Sequence, residues 1–68
     1  MNDLDKIHIE LYTSTGMFQG YFKGFSKGQI LSTWNKSEAR HFASWQTATK
    51  IKDKIEEMTS GGLVCEIS

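Results

Sequence analysis

The chain of 68 residues contains no proline, a single cysteine and no long apolar run, and its formal charge is zero. Each absence excludes something. With one thiol, Cys65, no disulfide can form within the chain, and no CxxC pair exists to grip zinc. The N-terminal MNDLDKIHIEL sets acids ahead of its apolar residues, which fits neither a secretory signal nor a membrane span. No proline-rich or low-complexity stretch marks a linker, so residues 1–68 are expected to form one domain in a reducing cytoplasm. A chain this short buries a smaller share of its surface than a larger one, and a deep substrate cavity would compete with the core. The apolar fraction of 38% is nevertheless high enough for a folded rather than a disordered chain.

What is present is organised by period. Ile7, Ile9 and Leu11 alternate with His8, Glu10 and Tyr12, the pattern of a half-buried strand over Lys6 to Tyr12. Thr13-Ser14-Thr15-Gly16 is a turn. Met17 to Phe25 reads as a second strand, with Phe18, Gly20, Phe22 and Gly24 on one face and Met17, Gln19, Tyr21, Lys23 and Phe25 on the other. Ser26-Lys27-Gly28-Gln29 turns the chain into a short third strand, Ile30 to Trp34. The glycines at 16, 20, 24 and 28 recur every fourth residue; on a strand, Gly20 and Gly24 would let Trp45 or Ala48 of a helix approach closely.

The period then changes. Ser37 can cap a helical turn that carries Ala39 and Phe42 inward. After Ser44, Trp45, Ala48, Ile51, Ile55 and Met58 recur at spacings of three and four, an amphipathic helix that Gly61-Gly62 stops. Leu63, Cys65 and Ile67 then alternate in a last strand. The expected fold is α+β, a three-stranded antiparallel meander with one main helix on one sheet face and a C-terminal fourth strand (βββαβ, order 3-2-1-4). With the last strand beside the first, the two are expected to run parallel, joined by a right-handed crossover. Ile9, Phe18, Phe22, Ile51, Ile55 and Ile67 are the expected core.

No catalytic set emerges. His8 and His41 stand apart with no HxxxH pattern, so both read as surface histidines and no metal site is expected. Cys65 shares the core face with Leu63 and Ile67, where a thiol is a small inert hydrophobe. No spacing assembles a nucleophile, a base and an oxyanion donor. The expectation is a non-enzyme without a cofactor.

The binding candidates lie around GYFKGFSKGQ. Lys23-Gly24-Phe25 matches the start of the RNA-recognition octapeptide K/R-G-F/Y-G/A-F-V-x-F/Y, but Ser26 and Lys27 then break it. Tyr12, Met17, Tyr21, Lys23, Phe25 and Lys27 are expected on the open sheet face, where rings could stack bases and ammoniums could meet phosphates, or where the same rings could anchor a protein. The basic residues crowd into 21–54, between acidic ends, a hint of one basic face. Glu56 and Glu57 sit near the helix C-terminus, where the macrodipole disfavours them, which is compatible with an acidic contact patch.

The run YFKGF followed by TWNKSEARHFASWQTATKI, about residues 18–55, resembles small uncharacterised proteins of bacteriophages and prophages. It is similar, at greater remove, to the small sheet-and-helix domain that precedes some ribonuclease H enzymes and binds hybrid duplexes, though the GxxxGIY-type strand start is missing. The first resemblance implies an accessory protein in the host cytoplasm that binds and modulates or inhibits a host protein. Nucleic acid is the alternative partner. A homodimer would also cover Met17, Tyr21, Phe25 and Leu31, and no membrane partner is expected.

Overall fold

Alternation and turn chemistry place four strands and a helix in the computed structural model, which describes residues 7–68. Strand β1 is Ile9–Thr13, β2 Phe18–Ser26, β3 Gln29–Thr33, helix α1 Trp45–Met58 and β4 Leu63–Ile67, with a 3-10 turn at Lys36–Glu38 before α1. The sheet order is β3-β2-β1-β4, the α+β layout that the sequence predicts. Lys6, at which the first strand was expected to open, lies outside the described residues. The β2–β3 hairpin closes through Lys27-Gly28, both at positive φ (51° and 76°), the twist that a two-residue loop requires.

The fourth strand corrects the expected direction: β4 pairs with β1 antiparallel, not parallel. The reason lies in residues 35–44. β3 ends level with the middle of the sheet, where Thr33 pairs with Tyr21. The chain then turns back: the Arg40 N–H donates to the Phe22 carbonyl (2.9 Å) and the Phe42 N–H to that of Ile7 (2.7 Å). Helix α1 thus starts beside the Ile7 end and delivers β4 to the opposite end, where Leu63 pairs with Thr13.

Asn35, rather than Ser37, caps the short turn by accepting from the Ser37 N–H, while Ala39 and Phe42 are buried as expected. Ser44 caps α1, its Oγ accepting from the Thr47 N–H at 3.2 Å. Ile9, Leu11, Phe22, Phe42, Ala48, Ile55 and Cys65 form the core, with Ile51 and Ile67 packed against it. Trp45 and Met58, expected in the helix stripe, are exposed. They are the first and last residues of α1, and Phe42, stacked on Phe22 with centroids 6.4 Å apart, fills the core at one of those ends.

Two bulges in β2 overturn the simple alternation of that strand. Leu11 pairs with Gly20 but Tyr12 pairs with Phe18, so Gln19 is an extra residue. Phe22 pairs with Ser32 but Gly24 with Leu31, so Lys23 is a second one. The first bulge takes Phe18 out of the expected core; the second turns Phe25 into it, 5.0 Å from the Phe22 ring.

Candidate binding face

The helix covers the sheet face of Ile9, Leu11 and Phe22, which leaves the other face open. By register that open face carries His8, Glu10 and Tyr12 from β1, Phe18 and Tyr21 from β2, Leu31 and Thr33 from β3, and Val64 and Glu66 from β4. Its rings touch in sequence. Phe18 lies 5.5 Å from Tyr12, 5.2 Å from Tyr21 and 5.8 Å from Trp34, and Tyr21 lies 5.2 Å from His8. Trp34 is 70% exposed, Phe18 37% and Val64 43%. The pairs are edge-to-face or tilted, the arrangements in which ring quadrupoles attract.

Sequence reasoning placed only part of this surface. Tyr12 and Tyr21 lie on it as expected. Met17 is exposed in the β1–β2 turn, its N–H held by the Thr13 hydroxyl. Lys23 is exposed in the second bulge, and Lys27 occupies the hairpin tip. Phe25 does not belong to the face: it packs on the core side, with Lys54 Nζ 4.9 Å from its ring centre. The expected set therefore does not converge on one patch. Phe18, Trp34, Val64 and Glu66 were missed. The available signal was Gly20, since an isolated strand glycine marks a bulge. Its φ is +101°, and a Cβ there would stand 2.8 Å from the Thr33 carbonyl oxygen. Gly20 admits β3 and Trp34, not the helix as expected.

His8 corrects the surface reading. It is 4% exposed, its backbone exchanges both hydrogen bonds with Ser68, and its Nε2 lies 3.1 Å from Ser68 Oγ. His41 is exposed, as expected, with its ring 6.1 Å from His8. Among the described residues no three or more histidines, cysteines or carboxylates gather as a metal cluster, and no helix is long and apolar enough to cross a membrane.

The electrostatics of the face are acidic at its paired positions. Glu10 and Glu66 stand directly opposite each other, and among the described residues none of the strand pairs on this face includes a lysine or arginine. The Tyr12 hydroxyl donates to Glu10 Oε1 at 3.0 Å. That bond, with burial and the nearby carboxylates, holds the phenol above its usual range. Beside Tyr12 a shallow cleft of about 390 Å³ is lined by Thr13, Ser14, Gly16, Val64 and Glu66. On the core side, burial and Glu56 push the Cys65 thiol up to about 11, leaving it protonated and unreactive at neutral pH. The chain matches no protein-family model, no curated protein and no solved structure.

Proposed function

We propose that this chain is a non-catalytic binding protein that docks a protein partner on the open sheet face. The observation that carries the reading is the contiguous ring surface of Tyr12, Phe18, Tyr21 and Trp34 on the face away from α1. Aromatic side chains bury large areas at low entropic cost, which is why they dominate the energetic centres of protein interfaces. A polyanion fits this face poorly, because Glu10 and Glu66 oppose phosphate. The resemblance to phage and prophage proteins supports a host protein as the partner, modulated or inhibited by being covered.

Affinity capture from nuclease-treated host lysate tests this. A protein should be retained at raised salt by the parent chain and lost with Tyr21→Ala. Retention that depends on intact nucleic acid would overturn the reading in favour of nucleic-acid binding.

A further inference from the structure

The open face has a second feature that packing does not explain. Ser68 and His8 exchange both backbone hydrogen bonds, so by antiparallel alternation Glu10 and Glu66 are also a hydrogen-bonded pair, with Cα atoms about 5.5 Å apart. Like charges directly opposite in a sheet are destabilising. Among the described residues no lysine or arginine is paired across the strands of this face to relieve them, and a chain this small has little stability to lose. Around the two carboxylates stand the ring of Tyr12, exposed Val64 and the cleft that Tyr12, Val64 and Glu66 line. A cleft that brings together one exposed valine, a π face and a carboxylate suits a long side chain that is apolar along its stem and cationic at its tip.

We infer that the occupant of the open face is a basic protein segment, one arginine of which lies across Tyr12 and Val64 with its guanidinium between Glu10 and Glu66. This rests on the reading of the face as a protein-docking surface and specifies the chemistry of what docks. The guanidinium is planar and presents paired donors to a carboxylate, and it stacks on rings, so arginine matches this set better than lysine. The partner's charge would convert a repulsive carboxylate pair into an attractive triad. The carboxylates thus weaken the free chain and strengthen the complex.

The test is an NMR titration of the full chain with three blocked hexapeptides and with decathymidylate. The peptides alternate arginine, glutamate or leucine with glycine. The arginine peptide should shift Tyr12, Val64 and Glu66 and leave α1 unmoved; the glutamate peptide should shift nothing. In a Glu10→Gln, Glu66→Gln double variant, binding of the arginine peptide should weaken roughly tenfold, about the loss of one modest charge-assisted contact. The unfolding midpoint of the variant should stay equal or rise. Salt titration of the parent chain gives the same information without a variant, since raised salt should weaken the arginine peptide.

Arginine-peptide binding that ignores both salt and the glutamines overturns the inference. So does an equal response to the leucine peptide, which leaves protein docking standing without the cationic requirement. A shift of the same face by decathymidylate overturns both the inference and the docking reading. Silence toward every ligand at millimolar concentration overturns the inference.

Discussion

Single residues decide which way this sheet faces, and Gly20 decides most. Its left-handed φ and the close Thr33 carbonyl leave no room for a side chain. Gly20→Ala should therefore cost about 1–3 kcal/mol, from backbone strain and the collision together. Gly16 also has a positive φ, +95°, but nothing lies within 4 Å of its would-be Cβ. Gly16→Ala should cost only about 1 kcal/mol. Denaturant melts of the two variants check that ranking, and equal losses would contradict the bulge account. Cys65 supplies a pH signature. Its folded pKa is raised from 9.0 to about 11, so the stability held by the neutral thiol is fully present below pH 9 and is lost as pH rises to about 11. The loss is about 3 kcal/mol in all. Tyr12, also raised, acts in the same sense, so the clean readout is the difference between parent and Cys65→Val across that window. Parallel stability curves would contradict the buried thiol.

The elements show how much the sequence discloses and where it stops. Period two located β1, β2 and β4 and the three-to-four spacing located α1, because each buries a face against one core; β3 followed from the turn at Ser26 to Gln29, and none of its residues is fully buried. The face of Phe18 and of Phe25 was not legible by counting, because a bulge inserts one residue and inverts every count beyond it. The direction of β4 was not legible either, since it depends on where residues 35–44 bring the chain back. Helix α1 is the element on which packing is most directly measured. Ile55 is fully buried, so Ile55→Ala should cost about 2–5 kcal/mol. Trp45 satisfies the same periodicity but is 57% exposed, and Trp45→Ala should stay within about 0.5 kcal/mol. Equal losses at the two positions in equilibrium unfolding would contradict this helix orientation. Glu56 shows why the macrodipole argument misled. Its carboxylate accepts from the Cys65 N–H at 3.3 Å and pairs with Lys52 at 3.2 Å, so it serves the sheet edge, not an outward acidic patch.

At the scale of the whole molecule, helix and sheet divide the surface into a closed side and an open one. The outer edge of β4 is engaged from within: the Cys65 N–H bonds Glu56, and the Leu63 N–H bonds the Thr59 hydroxyl at 3.2 Å. An edge satisfied in this way is a poor template for an added strand. Strand addition at β4 is thereby disfavoured as the route of association, and the open face remains the surface with aromatic anchors. The two tryptophans offer the sharpest comparison, since both are exposed but only Trp34 joins the ring surface. Once the captured partner is purified, calorimetric titration of Trp34→Ala and Trp45→Ala against the parent chain tests the central claim directly. The account predicts a loss of about 2 kcal/mol or more, roughly thirtyfold in Kd, for Trp34→Ala and no change for Trp45→Ala. Full affinity in Trp34→Ala, or a loss confined to Trp45→Ala, would contradict it.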